Sequence, residues 1–392
     1  MTEHQKAMVM LPSTARVRIG EPAAEAIAAE AEMIGAKRVV LITSKSLREN
    51  TEEIAKIEHT LGARHAATYS GVGAHVPRTH VMEATDVARK AEADLIVSVG
   101  GGSVTDCAKI VPLMLKHDVR NADDMARYHI TVDEAGAMVF PALETPDVPA
   151  VCVPTTLSGG EFNPLSGATD PVSKHKQGYM ERMMAPVAVI LDPALTRHTP
   201  EWLWMSTGVR AMDHAIECLQ SLLSNDYSDG QARCALELLI EGLPRVKKDP
   251  GDLDARLKCQ IGCWQSMLPI IAGVPMGASH AIGHVLGGLC DVPHGYTSCV
   301  MSPFVLGWNA EVNDHRQATV RAAFGDTSTS ASVHFDRFIS ALELPRSLSA
   351  VGVTEDQLPK VAEYTMSDIW GKTNPRPISA PADVMQILEL AR

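Results

Sequence analysis

Positive charge is scarce in this sequence. Thirty-five Lys and Arg stand against 47 Asp and Glu, for a formal net charge of −12 in 392 residues. That balance speaks against nucleic acid or an anionic membrane as partner, because both require a basic surface. A local basic pocket for an acidic small molecule stays compatible with it. Long apolar runs are missing too: none nears the roughly 20 residues needed to cross a bilayer. The opening "MTEHQKAMVM" lacks the apolar core of a signal peptide. No Cys-x-x-Cys pair occurs. The eight cysteines, Cys107, Cys152, Cys218, Cys234, Cys259, Cys263, Cys290 and Cys299, are scattered, which reads as reduced thiols in a cytoplasmic protein. There is no repeat or low-complexity tract, and no Gly-x-Gly-x-x-Gly in a strand–turn–helix context.

What is there alternates. "EPAAEAIAAEAEMIGA" has helical composition and ends at Gly35; "KRVVLIT" follows as a short β-branched run suited to a buried parallel strand. "RTHVMEATDVARKAEA" is helical, "DLIVSV" is strand-like, and "VTDCAKIVPLML" reads as the next helix. "PAVCVPTT" and "VAVILDP" add two more strands. Such alternation implies a parallel sheet with helical crossovers. After Asp192-Pro193 the long stretches show helical periodicity, so a domain boundary is expected near residue 195, with an α/β domain over 1–194 and a mostly α domain over 195–392. An irregular stretch at 115–148 reads as an insertion, a hairpin or a flap.

Two loops leave strand ends. "SVGGGSVTDCAK" places Gly100, Gly101, Gly102 and Ser103 before a helix. Glycines allow backbone N–H groups to approach an anion, and the helix N-terminus adds a favourable partial charge; Ser103 is expected to cap the helix or bond a phosphate. "VPTTLSGGEFNP" offers Thr155, Thr156 and Ser158. Together the loops would converge on the carboxyl edge of one sheet, where α/β proteins bind ligands. Asp106 and Lys109 read as a solvated helical pair, and Glu161 as a support of its own loop. For His75 and Arg78, a surface turn and a place in the ligand site are both open.

A third region, "GASHAIGHVLGGLCDVPHG", carries His280, His284 and His294. His280 and His284 share a helix face. The grouping resembles a metal site.

The ordered set "GGGSVTDCAK", "PTT", "DP", "DHAIE", "HAIGHVLGG", "VPHG" and "NPRP" resembles the iron-containing alcohol dehydrogenase family, of dehydroquinate-synthase-like fold, over roughly residues 10 to 390. The resemblance implies an N-terminal Rossmann-like α/β domain binding NADH or NADPH, an all-α C-terminal domain, and a cleft between them. It implies that Gly100, Gly101, Gly102 and Ser103 hold the pyrophosphate, that Thr155, Thr156 and Ser158 flank the cofactor, and that Lys174 or Lys176 supplies a basic residue. Ser44 stands where NAD-specific relatives often carry an acid; it removes the repulsion of a 2′-phosphate, so use of NADPH is compatible.

Family members with iron or zinc take ligands from an Asp-x-x-x-His pair on one helix. The matching stretch, "GVRAMDHAIE", keeps His214 but has Arg210 in the aspartate's place. Arginine is always charged and cannot ligate a cation. Asp213 lies about 100° round the helix from His214 and is not expected to take over. The expectation is a metal-free enzyme; were a metal bound, His214, His280 and His294 would be its ligands. The maleylacetate reductase branch of the family departs from the acidic ligand similarly. "GAHVPR" and "HVLGG" resemble that branch, whereas "VPHGYTSCVMSP" is closer to the alcohol dehydrogenases.

The functional expectation is reduction of a carboxylated unsaturated or keto substrate. Arg210 would grip the carboxylate. His280 or His294 would donate the proton, as suits an unperturbed imidazole near neutral pH, with His214 and His284 shaping the pocket. The alternatives are a metal-dependent alcohol dehydrogenase or aldehyde reductase, a lyase of the same fold, and an inactive binding protein. A cytoplasmic homodimer or larger homo-oligomer is expected, with no nucleic-acid or membrane partner.

Overall fold

A computed structural model of the chain describes residues 6–133, 138–173 and 175–392; Lys174 lies outside them. The chain divides into two compact units at Thr199/Pro200, and the described residues before Pro12 belong with the second unit.

The unit from Pro12 to Thr199 is an α/β layer structure. In chain order it holds β1 (Arg16–Ile19), α1 (Ala23–Ile34), β2 (Val39–Thr43), α2 (Lys45–Asn50), α3 (Glu53–Leu61), β3 (His65–Tyr69), α4 (Arg78–Lys90), β4 (Leu95–Gly100), α5 (Gly102–Lys116), β5 (Thr131–Val132), β6 (Met138–Val139), β7 (Ala150–Pro154), β8 (Leu165–Thr169), β9 (Lys176–Met180) and β10 (Ala188–Leu191). Six strands form one sheet in the order β1-β10-β7-β4-β2-β3, and every pairing is parallel.

The apolar runs explain the layers. Every residue of β2, β4 and β7 is buried, as a sheet covered on both faces requires. Val40, Ile42 and Ile96 pack with Val81, Ala84, Val104 and Val111 from α4 and α5. Val39, Leu41 and Val97 point the other way, onto Ala26, Ile27, Ile54 and Ile57 from α1 and α3. Each such aliphatic side chain contributes about 1.5–3 kcal/mol on full burial. Asp192 of the "DP" motif ties β10 to α1: its carboxylate accepts the amides of Ala23, Ala194 and Leu195. Within 115–148, β5 and β6 pair antiparallel, as in a hairpin; residues 134–137 lie outside the described ones.

From Pro200 onward the described residues hold helices and no strand: α6 (Glu201–Gln220), α7 (Asp226–Lys248), α8 (Leu253–Ile271), α9 (Ala278–Cys290), α10 (His294–Ala323), α11 (Ala331–Ala341), α12 (Leu358–Thr365) and α13 (Pro381–Leu390). α6 packs against α7, α8 and α10 and is buried from Trp204 to Gln220. A helix enclosed all round must satisfy every polar side chain it carries inside the protein. That burden falls on Arg210, Asp213, His214 and Glu217. No helix among the described residues is long and apolar enough to cross a membrane, and all eight cysteines are free thiols.

Candidate functional site

In the α/β unit the strand order reverses between β2 and β4, and Ser44 and the glycine loop follow those two strands. This is the switch point at which open α/β sheets take ligands. The Ser44 amide donates to the Val99 carbonyl at 3.1 Å. The Ser44 hydroxyl, however, accepts the Leu47 amide at 3.3 Å and caps α2, an ordinary loop duty. Gly101 is the N-cap of α5, with no side-chain cap; Ser103 therefore lies inside the first turn and does not cap.

The two loops touch. The Thr155 amide donates to the Gly100 carbonyl at 2.9 Å. A Cβ on Gly101 would stand 3.0 Å from Thr156 Cγ2, and one on Gly102 would stand 2.9 Å from Ser158 Oγ. Thr156 and Ser158 share a hydroxyl hydrogen bond of 3.0 Å. The glycines are thus needed twice, for close loop packing and for an exposed backbone at the helix start.

One expectation changes in this unit. Lys109 is no solvated residue: it is fully buried, and its ammonium donates to the carbonyls of Gly160, Asn163 and Leu165 at 2.6, 2.8 and 2.7 Å. It pins the Thr155–Leu165 segment to α5. Glu161 is buried beside it, and burial pushes its carboxyl up to about 7. Lys176, proposed for the cofactor, pairs with Asp106 at 3.2 Å on a half-exposed side chain. Arg78 is buried against Asp170 at 2.9 Å, while His75 is exposed. A cavity of about 660 Å³ near α1 and α3, lined in part by Glu53, Lys56, His59 and Arg197, contains none of the loop residues.

In the helical unit, α6 presents Arg210, Asp213, His214 and Glu217 to α9 and α10. His280 lies in the first turn of α9. Its ring centroid is 4.9 Å from that of His214 and 6.4 Å from that of His284. His284 and His294 stack at 6.0 Å with planes 1° apart. His214 and His280 are buried; His284 and His294 are exposed. His284 Nδ1 meets Asp368 Oδ2 at 2.9 Å.

The acidic residues are more central than the sequence suggested. Asp213 is fully buried. Its Oδ2 accepts the Ser279 hydroxyl at 2.7 Å and lies 3.5 Å from His280 Nδ1. Although successive helical side chains diverge by about 100°, both Asp213 and His214 find the histidine cluster because α6 is enclosed. Glu217, given no role by sequence, accepts the Gly277 amide at 3.0 Å and the Ser279 amide at 2.7 Å, and shares a 2.7 Å hydrogen bond with His280 Nδ1. Asn374 of "NPRP" accepts the Ala278 amide at 3.2 Å, so the N-terminal amides of α9 are held from two sides. The signal for Glu217 was present: Arg210, Asp213/His214 and Glu217 form a polar stripe at helical spacing.

The metal-binding expectation named His214, His280 and His294, and a different set of acidic residues gathers around His280. Among the described residues the group close enough to share an ion is Asp213, Glu217 and His280, with donor atoms within 4.8 Å of one another; His214 and His294 are outside it.

Burial dominates the electrostatics. It lowers Arg210 to about 10, against the attraction of Asp213 and Glu217. It holds His214 and His280 well below the ordinary imidazole value, with Arg210's charge acting the same way, and raises Asp213 and Glu217. Both buried imidazoles are therefore neutral at neutral pH. Any hydrogen bond that His280 donates to a substrate then comes from a neutral imidazole. Arg210 makes two long hydrogen bonds, to Thr297 Oγ1 at 3.4 Å and Ser298 Oγ at 3.3 Å.

Known proteins place this arrangement. The profile of iron-containing alcohol dehydrogenases matches residues 14–193, and that of the family's C-terminal domain matches residues 204–392. A dehydrogenase of Alternaria alternata is 32% identical, with 88% of this chain and 96% of the relative covered. The NAD-dependent methanol dehydrogenase of Bacillus methanolicus is 28% identical over 95% of this chain and 97% of its own. The crystal structure of maleylacetate reductase from Agrobacterium tumefaciens superposes with a TM-score of 0.82 at 27% identity, covering 99% of this chain and 98% of that one. The chain belongs to the iron-containing alcohol dehydrogenase family, near its maleylacetate reductases, and is an NAD(P)-dependent oxidoreductase.

Proposed function

We propose that this enzyme reduces a carboxylated unsaturated or keto substrate of the maleylacetate kind with NADH or NADPH, and does so without a metal ion. The observation that carries the reading is Arg210. It is a buried guanidinium whose hydrogen bonds are two long contacts to hydroxyls. A planar fork held in this way suits a bidentate carboxylate.

In a 2-ene-4-oxo diacid the nicotinamide delivers a hydride to the double bond, and the electron pair moves toward the ketone oxygen. His280 Nε2, buried and without a hydrogen-bond partner among the described residues, is the group to stabilise that oxygen. A neutral imidazole serves as the hydrogen-bond donor there. The proton that completes the product comes through His294, which stacks on His284 at the exposed end of the row. His214, neutral and buried, shapes the pocket. NADH or NADPH becomes NAD(P)⁺, and one proton is drawn from solvent.

A second reading, a metal-dependent dehydrogenase, is favoured by the gathering of Asp213, Glu217 and His280. The donor chemistry argues against it. Glu217 and His280 Nδ1 are committed to each other and to two amides. That leaves Asp213 Oδ1 and His280 Nε2 from this group, with His214 Nδ1 beside it, and a cation placed among them would stand close to the fixed positive charge of Arg210. The test is NADH and NADPH oxidation against maleylacetate, keto acids and simple aldehydes, with and without chelator. Maleylacetate turnover that survives chelation supports the proposal; activity confined to aldehydes and abolished by chelator overturns it.

A further inference from the structure

A histidine that stabilises an oxygen must present the correct nitrogen, protonated and correctly aimed, and the group on its other nitrogen decides both. His280 is in this position. Nδ1 meets Glu217 Oε2 at 2.7 Å, and Nε2 is buried with no partner among the described residues. Glu217 is itself immobilised, because its two oxygens accept the amides of Gly277 and Ser279, the residues just before His280. One carboxyl group therefore locks both the backbone that carries the imidazole and the imidazole itself.

We propose that Glu217 is a positioning residue for reduction: it occupies His280 Nδ1, fixes the ring, and sets Nε2–H as the donor to the substrate oxygen. This rests on the role given to His280 above. The 2.7 Å contact and the two amides position the ring whichever partner donates; the proposed direction is the one that leaves the cluster without an unpaired charge. The enclosed cluster contains one guanidinium, Arg210, and two carboxyls, Asp213 and Glu217. Asp213 balances Arg210. A second bare carboxylate would leave an unpaired charge out of water. Glu217 stays neutral, accepts the amides through its lone pairs, and donates Oε2–H to Nδ1. His280 then carries its proton on Nε2.

An anchor for α9 alone would have different consequences, and Asn374 separates the two. Asn374 holds the Ala278 amide of the same helix start and makes no hydrogen bond to His280 among the described residues.

Four variants of the full chain, E217L, E217Q, N374A and H280N, are compared with wild type in NADH oxidation with maleylacetate and in melting temperature. The ¹⁵N-histidine spectra give the His280 tautomer, its signals assigned by their loss in H280N. Wild type is expected to show His280 protonated on Nε2. E217L lowers kcat by about tenfold to a hundredfold, in the range that mis-set histidines cost, with the KM for NADH unmoved and a mixture of tautomers. E217Q, whose amide can still donate to Nδ1, keeps the Nε2–H tautomer and recovers most of kcat. N374A loses thermal stability but keeps kcat.

A wild-type Nδ1–H tautomer, an unchanged kcat in E217L, or an equal loss of kcat in N374A would overturn the positioning role. If H280N retains full kcat, the failure lies instead with the role of His280 in the proposed reaction. If H280N is inactive while E217L is not, only Glu217's role falls. Should E217L not fold, E217Q and the wild-type tautomer still decide.

Discussion

The two units build their sites from different material. Between residues 12 and 199 the candidate cofactor site is made of backbone and hydroxyls: Gly100 to Ser103 at the start of α5, and Thr155 to Ser158 packed on them. A buried cation behind these loops, Lys109, binds the carbonyls of Gly160, Asn163 and Leu165. From residue 200 onward the site is made of side chains on enclosed helices, and its buried cation, Arg210, makes two long hydrogen bonds among the described residues. A buried lysine saturated with carbonyls is a fastener. A buried arginine held by two long bonds is, in the function proposed above, a receptor. The pair shows that burial of a cation by itself says little, and that the state of its hydrogen bonds says which role it plays.

The contrast is broken most severely at Arg210. Arg210→Lys keeps the charge and removes the fork. The expected result is a rise in the KM for maleylacetate of about tenfold or more, with a smaller change in kcat. Burial pulls Arg210 below the ordinary guanidinium value, but a guanidinium stays charged across the working range, so the wild-type KM should hold from neutral pH upward for as long as the enzyme stays folded. Steady-state kinetics across pH check both; an unchanged KM in the lysine variant refutes a bidentate grip.

The fastener is tested by Lys109→Met. Three carbonyls lose their donor, which costs about 1–3 kcal/mol for each group left unsatisfied. The expected outcome is a lower melting temperature and a raised KM for NADH, with kcat retained at saturating cofactor. An effect on the maleylacetate KM alone would contradict the assignment.

Glu161 gives the smallest and cleanest readout. Its carboxyl is raised from 4.5 to about 7 in the folded chain, so the folded state binds the extra proton between these values and stability falls as pH rises through them. The shift corresponds to on the order of 3 kcal/mol. Glu161→Gln should therefore unfold at higher denaturant than wild type above pH 7, and the gain should fade as pH falls toward the ordinary carboxyl value. A gain that is independent of pH would show that ionisation is not its source.

Legibility in the sequence followed the same division. The parallel sheet, its loops and the helical second half could be read because strand burial and glycine-rich turns leave periodic, local marks: "DLIVSVGGGS" is β4 and the start of α5, as its pattern implies. The histidine region was legible as a location. Its chemistry was not, because partners in an enclosed cluster come from distant segments. Glu217 and His280 are 63 residues apart, and Asn374 reaches Ala278 across 96. Lys109 was misread for the same reason, since nothing near it announces the carbonyls that surround it. At Ser44 and Ser103 local helix geometry decides the capping: the first caps α2, and the second lies within the first turn of α5 instead of at its cap.

The claim that Arg210 and neutral histidines carry the reaction is tested most directly by assaying chelator-treated, metal-analysed enzyme with maleylacetate and NADH. The account predicts NADH oxidation at an undiminished rate with substoichiometric iron and zinc. Stoichiometric metal, with activity lost on its removal and restored on its return, would contradict it.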